Sequence, residues 1–301
     1  MSVASRLSTV ATVLAAAALV AACGGSGSSS SSKPAGKSPT VATDKAIAAE
    51  VPAPIKSKGA LTVAADATYA PNEFIAPNGH TVEGMDADLA QALARVMGLK
   101  VKVVNATFDS IIPGLAAKKY DLGMSSFTDT KVRQKTVDFV TYFSAGTSFY
   151  VKAQGGPTIN SLADLCGHKV AVEKGTTQAD DATAQSKKCK AAGKPAVTVL
   201  VFPDQNGANL AISSGRAQVG MADSPVAAYQ VKKSNGQFKL VGKTYGTAPY
   251  GIAIPKGDGM AKPLLDAVKK LMSDGHYRAI LQKWGIAQGA ITNPQINGAT
   301  S

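Results

Sequence analysis

From Ala60 onward, short β-branched runs alternate with stretches whose apolar residues recur every three or four positions. That rhythm admits few folds: it means a sheet flanked by helices, an α/β architecture. "Leu61-Thr62-Val63-Ala64-Ala65" reads as a buried strand. Asp86 stands where it would cap a helix whose apolar face is Leu89, Leu93, Val96 and Met97, and Gly98 ends that helix. A strand at 101–104, a helix near 111–119 and a strand at 121–124 follow. The rhythm resumes with a strand at 169–172 and a helix opening at "Gly175-Thr176-Thr177". A strand at 197–202, a helix at 209–212 and a strand at 219–221 come next. "Ser224-Pro225" starts another helix, with proline in the first turn where it is welcome. After a strand at 238–241 and the stretch "Gly251-Ile252-Ala253-Ile254-Pro255" come two apolar faces, Leu264 to Met272 and Tyr277 to Trp284, separated by Gly275. "Asn293-Pro294-Gln295" reads as a tail. No repeat of fixed period is present, only two halves of similar rhythm. The chain has 301 residues, 45% of them hydrophobic, which suffices for two compact lobes.

The first forty residues have another character. Arg6 supplies a positive charge ahead of a small-residue apolar run at 7–22, shorter than the roughly 18 residues a membrane span needs. This is the pattern of an export signal, with an uncleaved short anchor as the rival reading. "Val20-Ala21-Ala22-Cys23-Gly24" resembles the lipobox of bacterial lipoproteins. On that reading 1–22 is a signal peptide and Cys23 becomes a lipid-modified N-terminus, since two or more acyl chains anchor stably. The alternative is secretion after cleavage at Ala22, leaving Cys23 a free thiol. Residues 23–56 then form a flexible linker, a Gly/Ser-rich coil spanning on the order of 30 Å. A short capped helix at 43–50 is expected at its far end. "Gly36-Lys37-Ser38" is no phosphate loop, because Ser31 stands where its first glycine belongs.

Export bears on the remaining cysteines. Cys166 and Cys189 pair by default outside the cytoplasm, with two buried thiols as the alternative. His80, His168 and His276 lack ligand spacing, so no metal is expected, and nothing points to a cofactor. The formal net charge is +12, but the lysines are scattered and not interleaved with aromatics, which argues against nucleic acid.

Four stretches fall where α/β sheets bind ligands, beyond the carboxyl ends of strands. They are "Asp66-Ala67-Thr68-Tyr69", "Ser125-Ser126-Phe127-Thr128" with Arg133 after it, "Gly175-Thr176-Thr177" and "Met221-Ala222-Asp223-Ser224". A strand-to-helix turn offers free backbone N–H groups to an anion. With a cation for a carboxylate and an acid for an ammonium, the set complements a zwitterion. Taken singly, Asp223 reads as a helix cap, Arg133 as a surface charge and Phe108 as a hydrophobic staple.

In order along the chain stand "Tyr69-Ala70-Pro71", "Gly84-Met85-Asp86-Ala87-Asp88-Leu89", "Phe108-Asp109-Ser110-Ile111-Ile112-Pro113-Gly114-Leu115", "Ser126-Phe127-Thr128", Arg133 with "Val137-Asp138-Phe139", and "Gly175-Thr176-Thr177-Gln178". This series resembles the family 3 extracellular solute-binding proteins, amino-acid receptors of ABC importers such as the lysine/arginine/ornithine- and glutamine-binding proteins. The resemblance spans roughly residues 60–286. It implies a two-lobed periplasmic-binding-protein-like fold of type II, with two hinge crossovers and a cleft between the lobes. Residues 57–146 with 248–301 form lobe 1, and 147–247 form lobe 2. It further implies that Arg133, helped by Thr128, clamps the ligand carboxylate, with Thr177 adding its N–H and hydroxyl. Asp223 takes the ammonium, Ser126 adds a hydrogen bond, and Tyr69 and Phe108 flank the side chain. Asp66 lies where some members hold a polar or cationic side-chain group. Lys131 remains the competing cation for the clamp. Thr128 stands where serine is frequent, and Asn72 where an aromatic is often found, which implies a more polar wall. The implied function is capture of a polar amino acid by a lipid-anchored monomer on the outer face of the cell membrane, and its delivery to ABC permease subunits. The alternatives are a dehydratase-like enzyme on the same fold, or a ligand sensor without transport.

Overall fold

The computed structural model describes residues 41–299, so Cys23 and the expected export signal lie outside the described residues. The chain opens with two short helices, α1 (Lys45–Glu50) and α2 (Ala53–Lys58). Asp44 caps α1 through two backbone N–H groups, and its own N–H donates to Val96 O at 2.9 Å. Ile47 and Val51 are buried in the core. The expected linker therefore does not run to residue 56: from residue 44 the chain is held by helix capping and apolar burial.

The first βα repeats follow. They are β1 (Ala60–Ala65), a small antiparallel sheet of β2 (Thr68–Tyr69), β3 (Glu73–Ile75) and β4 (Val82–Glu83), then α3 (Met85–Val96), β5 (Lys100–Asn105), α4 (Phe108–Ala116) and β6 (Leu122–Gly123). Asp86 does not cap α3. Gly84 takes that position at φ 131°, where an added Cβ would come within 2.1 Å of Asn72 O, so only glycine fits. Asp86 sits in the first turn, where a negative charge suits the helix dipole, and its side chain turns inward. α4 starts three residues earlier than its periodicity predicts, because Phe108 opens it and packs inward.

A long strand, β7 (Val137–Lys152), leads into the second half: β8 (Lys169–Glu173), α5 (Thr177–Ala191), β9 (Thr198–Phe202), α6 (Gln205–Ser213), β10 (Val219–Asp223) and α7 (Ser224–Lys233). β11 (Phe238–Pro255) then returns, followed by α8 (Ala261–Ser273) and α9 (His276–Lys283). The strand expected at 238–241 is thus only the start of a longer one. The strand order is β5-β1-β6-β11-β7-β10-β8-β9. The pairs β5-β1-β6 and β10-β8-β9 are parallel, and β7 and β11 join them as an antiparallel ribbon. The ribbon's register shifts between Val241, Tyr245 and Ala248, so its pairing is irregular midway.

This two-lobed α/β architecture has a core on each side and one between them. Leu89, Leu93 and Val96 of α3 pack with Leu264, Val268 and Leu271 of α8 and with Ile252 and Ile254. Phe149, Val151, Val170, Val172, Val219 and Met221 form the second core, together with Cys189. Tyr69, Phe108, Phe127, Tyr150, Ile212 and Val226 bridge the two. Leu93→Ala would cost about 2–5 kcal/mol, since the side chain is fully enclosed. Cys166 and Cys189 are joined, tying the turn before β8 to the end of α5. The expected tail is docked: Thr141 N–H donates to Gln295 O and Asn297 N–H to Phe139 O, both at 2.9 Å. Among the described residues no helix is long and apolar enough to cross a membrane.

Candidate functional site

The four strand-end stretches converge. One cavity is walled by Tyr69, Phe108, Ser126, Thr128 and Arg133 from one half, and by Thr176, Thr177, Gln178, Gln205 and Asp223 from the other. Seven of the eight residues expected at a binding site line it. Asp66 is buried behind the wall.

Arg133 follows the short loop after β6. Its Nη1 donates to Thr128 O at 2.8 Å and its Nη2 crosses to Gly175 O at 3.0 Å. The guanidinium carbon lies 5.2 Å from the Phe108 ring centre and 5.4 Å from that of Phe127, a geometry that suits cation–π attraction. Phe108 and Phe127 stack at 4.5 Å, which fixes the platform. Burial pulls the Arg133 pKa down, and the Asp223 charge pushes back. Lys131 is exposed and reaches only Gln134, at 3.5 Å, so it is not part of the wall.

Asp223 ends β10, and its side chain makes no cap to α7. Tyr250 Oη donates to one carboxylate oxygen and Gln178 Nε2 to the other, both at 2.7 Å. Gln178 is held in turn by Thr147 at 2.9 Å. Burial raises the Asp223 pKa to about 6, and these donors together with Arg133 limit the rise. On the same side, Thr176 caps α5 by accepting from Ala179 N–H, so the free N–H groups of the first turn face the cavity wall. Gly175, at φ 79°, brings this turn against Asp109, with a Cβ there only 3.0 Å from Asp109 Cβ. Lys174 pairs with Asp109 at 2.8 Å, a second tie between the halves.

Ser126 is a non-glycine residue at φ 51°, a conformation that costs on the order of 1–3 kcal/mol. Buried acids hold it there. Its N–H donates to Asp86 at 3.0 Å, and its hydroxyl donates to Glu73 at 3.3 Å while accepting from Asn72 at 2.9 Å. The hydroxyl proton is committed, so Ser126 offers the cavity only an acceptor lone pair. Burial raises both acids, Asp86 to about 6 and Glu73 well above its usual range. Asn72 is fully buried in this cluster and is not a wall residue, contrary to the sequence expectation.

Asp66 accepts from Thr68 Oγ1 at 2.6 Å and from Phe108 N–H at 2.9 Å, which holds α4 against β1. Sequence reasoning missed Gln178, Gln205 and Tyr250 as parts of the site. Gln178 stood inside a recognised motif, but its bond to Asp223 spans 45 positions and has no local signature. Among the described residues no cluster of His, Cys, Asp and Glu has the makings of a metal site.

The arrangement offers a half-buried guanidinium and helix-end N–H groups to an anion. It also offers a hydrogen-bonded carboxylate and a serine lone pair to an ammonium. It complements a dipolar small molecule.

Known proteins share this build. The arginine-binding protein ArgT of Corynebacterium glutamicum is 34% identical over 252 residues, covering 83% of this chain and 82% of its own. The ABC transporter glutamine-binding protein GlnH of Bacillus subtilis is 34% identical over 214 residues, 69% of this chain and 74% of its own. An ancestral arginine-binding protein, solved bound to glutamine, superposes with a TM-score of 0.68 at 38% identity, covering 76% of this chain and 98% of its own. Residues 61–287 match the model of the bacterial extracellular solute-binding proteins, family 3, and the chain belongs to that family.

Proposed function

We propose that the protein is an extracytoplasmic receptor that captures a polar amino acid and delivers it to an ABC importer. One observation carries the reading: Arg133 and Asp223, of opposite charge and from opposite halves, line one cavity. Arg133 and the first turn of α5 hold the α-carboxylate, and Asp223 with the Ser126 lone pair holds the α-ammonium. Tyr69 and Phe108 flank the side chain. The halves, residues 57–146 with 248–301 and residues 147–247, close about the irregular middle of the β7–β11 ribbon, where Gly146 packs so tightly that a Cβ would lie 2.6 Å from Tyr245 O. Because each half holds one charge of the pair, contacts are complete only when the cleft is shut, and ligand shifts that equilibrium. Names of relatives support the transport role, GlnH in particular. Cys23 supplies a lipid anchor, and the receptor works as a monomer.

Calorimetry with a panel of the twenty amino acids tests this. At least one binds, the scattering radius shrinks on binding, and the ligand is recovered unchanged. A panel without binding, or a ligand converted to product, rejects the reading.

A further inference from the structure

Three carboxyl groups meet behind the Tyr69 end of the cavity. Glu173 ends β8 and is 1% exposed, and neither of its carboxyl oxygens has a hydrogen-bond partner. Asp66 approaches from the end of β1, its two oxygens already taken by Thr68 and Phe108. Asp204 caps α6 through Gly207 N–H at 2.7 Å. The Tyr69 hydroxyl belongs to the cavity wall, is buried, and is itself without a partner. Tyr69 and Asp66 both lie near enough to Glu173 to perturb its titration, yet neither meets it in hydrogen-bond geometry. Thr68 links the group to the second half, since its hydroxyl accepts from Gln205 N–H at 3.3 Å. Among the described residues no Lys or Arg pairs with Glu173, Asp66 or Asp204. Lys174, the next residue along, turns outward to Asp109.

A buried carboxyl without a donor is costly, and three acids together compound that cost. The side chain that relieves it must bring donors and positive charge. A hydroxyl or amide brings donors but no charge, so it cannot displace a proton from the acids or balance the carboxylates once they are ionised. We propose that Glu173, with Asp66 and the Tyr69 hydroxyl, forms the side-chain end of the site and selects an amino acid whose side chain ends in a guanidinium or ammonium cation. This rests on the receptor reading above and adds what that reading leaves open. The groups that face Glu173 are Asp66 from β1, Tyr69 from β2 and Asp204 ahead of α6. Burial first, then Asp66 and Asp204, push Glu173 up to about 9, so it holds a proton at neutral pH. The arriving cation takes the place of that proton, which leaves to solvent.

The test is calorimetry of the full-length protein at pH 8 with L-arginine, L-lysine and L-glutamine, in buffers of differing ionisation enthalpy. Wild type binds arginine or lysine at least about tenfold tighter than glutamine. It also releases more protons with the cation than with glutamine. Glu173→Gln weakens the cation by about 10- to 100-fold, the span expected for losing hydrogen bonds to a charged group, and moves glutamine less than about threefold. Asp66→Asn gives the same selective loss and serves if Glu173→Gln folds poorly. Glutamine binding as tightly as arginine and lysine overturns the inference and leaves the receptor reading standing. So does an equal loss for all ligands in Glu173→Gln, or equal proton release. No binding by any amino acid overturns both.

Discussion

The two ends of the cavity are built on opposite terms. At the Asp223 end each carboxylate oxygen has a donor, from Tyr250 and Gln178, and Gln178 has Thr147 behind it. Arg133 is likewise fixed, by two carbonyls and two aromatic faces. At the Glu173 end both carboxyl oxygens and the Tyr69 hydroxyl are unpartnered. In the proposed binding mode the satisfied end is already arranged for its ligand and meets what every amino acid shares. An unsatisfied end gains from whichever side chain supplies the missing donors, so discrimination belongs there.

The first way to break this contrast is at the satisfied end. Arg133→Ala or Asp223→Ala removes one member of a desolvated charge pair, at a cost of about 3–5 kcal/mol. Affinity should fall a hundredfold or more for every ligand alike. The ratio of arginine to glutamine affinity, measured by calorimetry, should stay put. A large change in that ratio would show that the two ends do not act separately.

Acidification attacks the same end more gently. The ammonium needs Asp223 ionised, and its pKa is raised to about 6. Affinity for an uncharged ligand should therefore be flat above pH 7 and about tenfold lower at pH 5, while that for a cationic ligand, which must also displace the Glu173 proton, should weaken further from about pH 9 downward. The ligand-free protein moves the other way. With the folded pKa above the unfolded value of 3.8, this group's contribution to stability declines as pH rises from about 4 to about 6. Titrations at fixed ionic strength check the first, and thermal melts of the ligand-free protein the second.

Gln178→Ala sharpens the comparison further. It strips one donor from Asp223 without touching a charge, leaving a buried oxygen short of a partner, at a cost of about 1–2 kcal/mol. Calorimetry should show a loss of about tenfold for all ligands. A loss confined to cationic ligands would reassign Gln178 to the side-chain end.

Such contrasts set the limit of what the residues alone disclose. The helices at Leu89–Met97 and Leu264–Met272 and the strand at Leu61–Ala65 are legible because one apolar face writes itself into local spacing. β7 is not legible, since this strand is buried on both faces and carries no alternation. Only residues 238–241 of its partner β11 read as a strand, because Gly242 and Gly246 interrupt the apolar pattern. Asp86 was misplaced as a cap because an acid before an apolar stripe is the usual sign of one. Its true partner, the N–H of Ser126, lies 40 positions away. The charged pair Arg133 and Asp223 was legible from strand ends and family motifs. Glu173 was not: nothing local marks a strand-end glutamate as unpartnered, and the groups beside it, Asp66 and Tyr69, lie more than 100 positions away.

The disulfide separates stability from recognition. It closes a loop of 23 positions in the second half, worth about 3 kcal/mol if it acts mainly on the unfolded chain. Cys166→Ser with Cys189→Ser should lower the melting temperature, while amino-acid affinities change less than twofold. Neither cysteine lines the cavity. Lost affinity in a still-folded variant would tie α5's far end to its first turn at the site.

The smallest expected effect is at Lys131. It is exposed, and its ammonium reaches Gln134 at 3.5 Å. Gln134 in turn donates to Asp129 at 2.7 Å, so this chain of contacts runs away from the cavity. Removing an exposed charge of this kind alters energy by well under about 1 kcal/mol. Lys131→Ala should shift ligand affinity by less than twofold, with any residue of effect vanishing in salt. A tenfold loss would make Lys131 the cation that meets the carboxylate. Arg133 would then be a tie between the halves through Gly175 O, and the satisfied end of the cavity would have lost its anchor.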